Sequence, residues 1–422
     1  MHVRLNHFSP LLALILAGEA IFALPFHIPR FYRTTFLDAF NITNTELGDS
    51  FALYGIVAMM AYFPGVLIAD RFNTKNLLII SLVTTALGGM YLYTIPTVAG
   101  LKVLFAYWGV TTILLFWSAL IKATRLLAGH QQQGITFGVL DAGRGIVASL
   151  LASLAIMMFG QQLVSSAADP ITILRLIVFY YTLITLFVAA LVWLVFPSYD
   201  SQLGPSGSIL SVARVTIDEM KEVIGNQRVW LQASIVIAAY CGYKGIDNYG
   251  LLLTKLAGYN SLESAQFMTQ LSYLRPVGAI AAGLIADRWL ASRTISLLFV
   301  LLAVCYIFNV VQTTQVSLVV INFVISALAV FAIRGIYFSL IDESNVSISV
   351  TGGAVGLISV IGFTPDIFFA SLAGRLLDNA SDGLAFQQYF LFMAGFATAG
   401  LLSCWLLIKT DRKNNDSKKA IG

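Results

Sequence analysis

The sequence is poor in charge, cysteine and histidine, and each shortage excludes a kind of protein. Charged residues make up 11% of the 422 residues, against about 25% in a soluble globular chain, which excludes a soluble fold. The three cysteines lie far apart within apolar runs, so neither a disulfide framework nor a metal site is indicated: Cys241, Cys305 and Cys404. The four histidines do not cluster, and we place them at span ends and in loops: His2, His7, His27 and His130.

The sequence also lacks the motifs that are typical of enzymes. No glycine-rich loop ends in Lys-Ser or Lys-Thr, which excludes the usual phosphate cradle. The residues show no nucleophile and base at a recognisable spacing. The net charge of +4 needs no nucleic acid partner, because lysine and arginine gather at one side of a membrane for insertion reasons. We therefore predict no enzyme activity, no cofactor and no metal.

Long apolar runs dominate what remains. Hydrophobic residues make up 58% of the chain and the mean hydropathy is +0.83. A bilayer core of about 30 Å needs roughly 20 apolar residues per helix, and the runs are too long for barrel strands of about ten residues. We predict an all-α membrane protein with twelve transmembrane helices, at 10–30, 50–69, 76–96, 100–124, 135–159, 172–196, 228–254, 264–286, 293–312, 315–341, 348–374 and 384–408.

A repeat divides the chain in two. The stretch 67–71, Leu-Ile-Ala-Asp-Arg, recurs letter for letter at 284–288, an offset of 217. Residues 152–155 and 370–373 share Ala-Ser-Leu-Ala at an offset of 218. Because each half holds an even number of spans, the halves enter the membrane from the same side. We therefore predict two six-helix bundles related by a pseudo-two-fold axis along the membrane normal.

The predicted organisation follows chain order. An N-terminal bundle (1–196) and a C-terminal bundle (228–409) flank a linker with an amphipathic helix (197–227), and residues 410–422 form a tail. With a cytoplasmic N-terminus, fifteen bases fall on that side and six on the other, so both termini are expected inside a bacterial cytoplasmic membrane. We expect a monomer in the lipid bilayer.

The repeated motif carries a resemblance. An apolar-Ala-Asp-Arg-aromatic pattern after spans two and eight of a six-plus-six chain resembles the major facilitator superfamily. Gly283 fits the first glycine of the family's loop motif, whereas Val66 replaces it in the other copy, and Asn73 and Leu290 replace the second glycine.

The resemblance implies a gate at this loop. It implies that the motif carboxylates hold the gate shut against span eleven; the alternative is that the arginines only anchor the topology. The residues concerned are Asp70, Arg71, Asp287 and Arg288.

A second, looser resemblance concerns the kind of solute. Four stretches are similar to bacterial organic-anion permeases related to the sugar-phosphate and nitrate/nitrite porters: 117–122, 137–145, 334–337 and 356–366.

Charges inside the spans point to a polar cavity. A charge in mid-membrane costs at least about 2.5–3.5 kcal/mol on insertion scales, so each needs a reason. Spans three, six, nine and twelve have none in their interiors, so the first two spans of each triplet face the cavity. The interior charges are Glu19, Asp141, Arg144, Lys244, Asp247, Arg275, Arg334 and Asp366.

These charges have two interpretations. Arg144, Arg275, Arg334 and Lys244 are candidate ligands of an anion, because a guanidinium donates two parallel hydrogen bonds to carboxylate or phosphate. Asp141 and Arg144, like Lys244 and Asp247, are also spaced for an intrahelical ion pair. A carboxylate in the membrane favours its protonated form, so Glu19 and Asp366 are candidate proton carriers or partners of the arginines.

We therefore predict a secondary active transporter of a small anionic metabolite, driven by alternating access with proton coupling or exchange against another anion. The alternatives are a proton-coupled permease or exporter of a neutral or cationic solute, and a non-transporting membrane sensor of a solute.

Overall fold

The computed structural model describes residues 5–128, 133–164, 169–198, 224–311, 315–343, 351–379 and 382–421. The regular secondary structure within these ranges is helical throughout. The amphipathic helix predicted in the 197–227 connection falls largely on residues 199–223, outside the described ones.

Nine α-helices and two π-helical segments make up the first half of the chain. The α-helices are α1 Leu5–Phe22, α2 Ile28–Phe31, α3 Arg33–Phe40, α4 Asn44–Arg71, α5 Thr74–Tyr93, α6 Val98–Gly109, α7 Ser118–Ala128, α8 Gln133–Val164 and α9 Pro170–Val195. The π-helical segments are Ala23–His27 and Val110–Trp117.

The second half continues the series from Gln227. Its described helices are α10 Gln227–Ile246, α11 Tyr249–Ala257, α12 Ser261–Ser272, α13 Leu274–Trp289, α14 Ala291–Val311, α15 Val316–Ile336, the 3-10 turn Tyr337–Ser339, α16 Leu340–Glu343, α17 Thr351–Gly362, α18 Pro365–Asp378 and α19 Asp382–Ile421. α19 therefore runs on through the predicted tail.

Nine helical stretches among the described residues are long and apolar enough to cross a membrane. They are Ser9–Phe31, Thr74–Tyr93, Val98–Ala128, Thr136–Leu163, Pro170–Val195, Ala291–Val311, Val316–Ser339, Gly356–Asp378 and Gly383–Thr410.

Three spans that the sequence predicts as continuous are broken. Span seven is divided between α10 and α11, span eight between α12 and α13, and span eleven between α17 and α18. The last break has a clear cause, because α18 begins at Pro365, which has no N–H to continue the helix before it. Pro365 indicates the kink in span eleven, whereas the breaks in spans seven and eight were not predicted from the sequence.

The helices form two compact units that cut across chain order. The first unit comprises residues 1–204, 247–273 and 366–378, and the second 205–246, 274–365 and 379–422. α11, α12 and α18 belong to the second half of the chain yet pack in the first unit. The predicted division into an N-terminal bundle (1–196), a linker (197–227), a C-terminal bundle (228–409) and a tail (410–422) stays a prediction.

In the first unit α1 lies within a core of apolar side chains. Buried residues of α1, α5, α7 and α9 form one cluster that includes Leu14, Ile21, Leu82, Leu120 and Val192. Apolar side chains thus surround α1, which makes any charge on it costly.

Glycines bring α4 and α18 into backbone contact within the first unit. A Cβ on Gly48 would collide with the Ala370 carbonyl oxygen, and one on Gly374 would lie 2.5 Å from the Asn44 carbonyl oxygen. Small residues allow such close helix packing in membranes.

We expect Gly48→Ala to destabilise the protein by about 1–3 kcal/mol, because the added methyl overpacks this contact. The measurement is the melting temperature in detergent. Gly138→Ala is the matched control, because a Cβ there meets nothing within 4 Å and alanine is the better helix former. Equal melting temperatures for the two variants would contradict the packing.

Candidate functional site

A buried group of three ionisable side chains lies in the first unit. His27 Nε2 is 3.0 Å from Glu19 Oε1, and Arg144 Nε is 3.2 Å from Glu19 Oε2. Glu19 and His27 are 3% and 1% exposed. The Glu19 carboxylate therefore lies between an imidazole and a guanidinium, away from solvent. We call these three residues the Glu19 group.

The chain after α1 brings His27 back toward Glu19. The segment Ala23–His27 is π-helical, and the Ile28 N–H donates to the carbonyl five residues earlier. Pro25 lies within this segment and removes one α-helical hydrogen bond, because it has no N–H. Single π-helical turns frequently occur at functional sites.

Arg144 is held against α1 by a glycine and two aromatic rings. Its Nε donates to the Gly18 carbonyl at 2.9 Å, and a Cβ on Gly18 would lie 3.0 Å from Arg144 Cδ. Its guanidinium carbon lies 5.6 Å from the centre of the Phe22 ring and 5.7 Å from that of Trp117. Aromatic faces attract a cation without neutralising it.

A second carboxylate stands at the edge of the Glu19 group. Asp141 Oδ1 is 3.9 Å from Arg144 Nη1, and the Asp141 side chain is 60% exposed. With His27 neutral, two carboxylates and one guanidinium leave one negative charge, which a single proton cancels. The surplus charge belongs to the exposed Asp141, whereas in the buried part the Arg144 guanidinium matches the Glu19 carboxylate.

A second ion pair in the first unit joins residues far apart in sequence. Arg30 donates two hydrogen bonds to Asp247, from Nε to Oδ1 at 2.6 Å and from Nη2 to Oδ2 at 3.4 Å. The side chains are 14% and 16% exposed. The sequence indicated Lys244 as a partner for Asp247 and did not indicate Arg30.

The second unit contains a different arrangement, in which cations lie on aromatic rings. The Arg334 guanidinium carbon is 3.9 Å from the centre of the Tyr243 ring, and Lys244 Nζ is 5.4 Å from that of Tyr240. The two tyrosine rings are stacked with centres 5.9 Å apart. They sit three positions apart on α10, where side chains share a helix face. We call these four residues the tyrosine cluster.

The helices around the tyrosine cluster are poor in acidic residues. α10, α15 and α17 contain no aspartate or glutamate. Phe363 extends the aromatic wall, with its ring centre 5.0 Å from that of Tyr240. A guanidinium lying on a ring keeps its edge N–H groups directed sideways, as the recognition of carboxylate or phosphate requires.

The remaining predicted ligands lie elsewhere. Arg275 is the second residue of α13 in the second unit and is partly buried. Asp366 lies in the first turn of α18 in the first unit. There α4 approaches its backbone, because a Cβ on Gly55 would lie 2.5 Å from the Asp366 carbonyl carbon.

The repeated motif lies at helix ends, as its sequence indicates. Arg71, Asp287 and Arg288 are exposed. The side chain of Asp70 lies outside the described residues, so its contact with span eleven stays a prediction. Leu290, which stands where the family pattern has its second glycine, has a φ of 76°. That left-handed conformation is the one glycine adopts without strain.

Sequence reasoning missed two kinds of residue. It placed His27 near the end of span one and did not predict that the side chain is buried against Glu19. Tyr240 and Tyr243 were not singled out, although two tyrosines three positions apart beside Lys244 are a readable signal. Among the described residues, no group of three or more His, Cys, Asp or Glu is suited to a metal ion.

Comparison with known proteins gives a consistent picture. The family model of the Major Facilitator Superfamily matches residues 8–363. Inner membrane protein YihN of Escherichia coli (strain K12) is 28% identical over 419 residues, covering 94% of this chain and 94% of that protein. Inner membrane protein YqcE of the same strain is 24% identical over 370 residues, covering 86% and 85%.

Solved structures share the fold. A bacterial homolog to the human lysosomal transporter Spinster, inward-facing and unoccupied, has a TM-score of 0.75 at 12% identity, covering 97% of this chain and 98% of that one. Nucleoside transporter NupG has a TM-score of 0.73 at 13% identity, covering 95% and 99%. At these identities the likeness shows the fold alone. The predicted all-α fold with twelve transmembrane helices is confirmed.

Proposed function

Because the chain belongs to the Major Facilitator Superfamily, and is a multi-pass secondary transporter of the bacterial inner membrane, we propose that it moves a small anionic metabolite together with a proton. The observation that carries this proposal is the Glu19 group, in which a buried carboxylate contacts both an imidazole and a guanidinium.

The Glu19 group links proton binding to anion binding in this proposal. A proton on Glu19 removes the negative charge that holds Arg144, and a proton on His27 offsets that charge. The Arg144 guanidinium then attracts an anion more strongly, because an arginine paired with a carboxylate has little net charge to offer. Proton and anion therefore enter together. Exchange of one anion for another is the other form of coupling that this arrangement supports.

The tyrosine cluster supplies the anion ligands of the second unit in this proposal. Arg334 and Lys244 bring two positive charges to one aromatic wall, and Arg275 is the third candidate of that unit. Fixed, partly buried cations bind anions better than mobile surface cations, since less ordering is needed on binding.

Alternating access is the proposed mode of transport. In this proposal the protein works as a monomer. Both termini lie in the cytoplasm, which the distribution of lysine and arginine favours. Asp70, Asp287, Arg71 and Arg288 then lie at the cytoplasmic gate. Asp366 is a second candidate for the proton.

One observation favours a second candidate, a proton-coupled carrier of a neutral or cationic solute. Arg144 already contacts Glu19 and Asp141, and Arg30 contacts Asp247, so both arginines have carboxylate partners without a substrate anion. NupG, which shares the fold, is named a nucleoside transporter.

Liposomes separate the two candidates. The purified protein is reconstituted with the pH-sensitive dye pyranine inside, and glucose 6-phosphate, lactate, nitrate, glucose and uridine are added separately. We expect at least one anion to acidify the lumen, and neither neutral solute to do so. Acidification by glucose or uridine alone would refute the anion proposal and support the second candidate. Liposomes without protein are the control.

A further inference from the structure

Asp378, the last residue of α18, binds the beginning of α4 in the first unit. Its Oδ1 accepts from the Asn44 N–H at 3.2 Å and from Asn44 Nδ2 at 2.9 Å. Its Oδ2 accepts from the Thr45 N–H and from Thr45 Oγ1, both at 2.7 Å. One carboxylate thus caps a helix more than 300 residues earlier in the chain, since 334 and 333 positions separate the partners.

The helix beginning is complete only with this carboxylate. The first backbone N–H groups of a helix have no partner within it. Thr43 and Glu46 satisfy two of them through a capping box, with Thr43 N to Glu46 Oε2 at 2.9 Å and Glu46 N to Thr43 Oγ1 at 3.2 Å. The two N–H groups between them, on Asn44 and Thr45, are satisfied by Asp378. A negative charge also suits the positive end of the helix dipole.

Neighbouring charges hold the two helices in register. Ser371 Oγ of α18 donates to Asp49 Oδ1 of α4 at 2.6 Å. Arg375 Nη1 donates to Ser371 Oγ at 2.7 Å and its Nη2 lies 3.6 Å from Asp49 Oδ1. Lys102 Nζ lies 3.7 Å from the other Asp49 oxygen. The start of α4 is therefore joined to α18 by these polar contacts in addition to the close glycine packing.

The repeat provides an equivalent junction without such charges. The offset of 218 relates Asp378 to Gly160 near the end of α8, and the offset of 217 relates Asn44 to Ser261 at the start of α12. A Cβ on Gly160 would lie 3.3 Å from Cδ1 of Leu262, the neighbour of Ser261, so these two helix ends also meet. The α8 and α12 pair is joined by hydroxyls, with Ser149 Oγ 2.6 Å from Ser272 Oγ.

We propose that Asp378 is a releasable latch of the transport cycle, formed by its carboxylate with Asn44 and Thr45. α18 must leave α4 whenever this end of the first unit opens, and water then takes over the two N–H groups. Breaking the latch therefore costs little more than one helix cap. The latch therefore stabilises the closed junction of α4 and α18 and still allows the junction to open. The proposal rests on the alternating-access part of the proposed function.

The first test uses a cysteine reporter and needs no substrate. Ser371 is 7% exposed, so Ser371→Cys is shielded while the junction is closed. In this background we expect Asp378→Ala to raise the rate of alkylation by N-ethylmaleimide about fivefold to tenfold, the ratio that loss of a helix cap produces. Asp378→Asn, which keeps the shape and loses the charge, should give a smaller increase.

The matched control is Asp169→Ala. Asp169 caps α9 through Ile171 N and Thr172 N, so its loss removes a cap without touching the junction of α4 and α18. The three native cysteines are buried, and the parent with Ser371 intact measures their labelling. Equal alkylation rates in the Asp378→Ala and Asp169→Ala backgrounds would overturn the proposal.

A second test closes the latch covalently. Thr45→Cys with Asp378→Cys should form a disulfide on oxidation, and the oxidised protein should exchange the amide hydrogens of residues 44–50 more slowly than the reduced one. Equal exchange would show that the junction does not open, and absence of a disulfide would contradict the contact; both outcomes reject the latch. Neither readout depends on the liposome assay for anion and proton movement.

Discussion

Glu19→Gln should abolish proton-driven accumulation of the transported anion, while exchange of labelled for unlabelled anion continues. Glutamine has the size of glutamate and can still hydrogen-bond to His27, but it takes up no proton. Without the proton, the solute equilibrates across the membrane and no longer concentrates. The measurement is uptake of labelled glucose 6-phosphate, or of whichever panel anion is carried, into liposomes with an imposed pH gradient.

Glu263→Gln is the control for this variant. Glu263 belongs to the capping box at the start of α12, so it is a glutamate of the first unit without a place in the Glu19 group. Its replacement should leave accumulation unchanged. His27→Gln should lower accumulation as Glu19→Gln does, because the proton site includes the imidazole. Accumulation by Glu19→Gln at the parent level would exclude Glu19 as the coupling residue.

Arg334→Ala should weaken anion binding roughly tenfold to a hundredfold. Hydrogen bonds to a charged group contribute about 1.5–3 kcal/mol, and each 1.4 kcal/mol is a factor of ten in affinity. The effect is measured as the concentration of the carried anion that gives half of the maximal thermal shift. The anion affinity of Arg334→Lys should lie between those of the parent and Arg334→Ala, because lysine keeps the charge and loses the planar contact with Tyr243.

Arg293→Ala tests whether charge alone explains the result. Arg293 lies on α14 in the same unit and is exposed, so its removal changes net charge by the same amount away from the tyrosine cluster. We expect anion affinity to stay at the parent value. Equal losses in both variants would point to a general electrostatic effect and would remove Arg334 from the binding site.

The predicted spans agree with the helices because hydropathy depends on the residues themselves. A run of about 20 apolar residues lowers its free energy in lipid whatever its neighbours are, and nine such stretches are present among the described residues. The breaks in spans seven and eight were missed, and the break in span eleven is indicated by Pro365 rather than by hydropathy. Hydropathy averages over a window and does not register a single residue without an N–H.

Within the site, the sequence predicted a contact between residues close together in the chain and missed one between residues further apart. Asp141 and Arg144 were expected to meet because side chains three apart share a helix face, and their atoms are 3.9 Å apart. His27 was missed because an unbroken helix does not bring residues eight positions apart into contact. The π-helical segment changes that geometry.

The ion pair of Arg30 and Asp247 could have been predicted from the repeat in the sequence. The two residues are 217 positions apart, which is the offset of the repeated motif, so they occupy equivalent places in the two halves. Residues near a pseudo-two-fold axis lie close to their own equivalents. Opposite charges at such a pair of positions predict an ion pair.

The sequence by itself determined the membrane fold, the duplication and the short set of charges that lie within the spans. These follow from the cost of placing each residue in lipid, which is a property of single residues and short runs. Only the tertiary structure decided two further meetings of charges: Glu19 with His27 and Arg144, and Asp378 with the start of α4. Partner choice depends on helix breaks and on glycines that let distant helices touch, and it therefore appears only when the chain is packed.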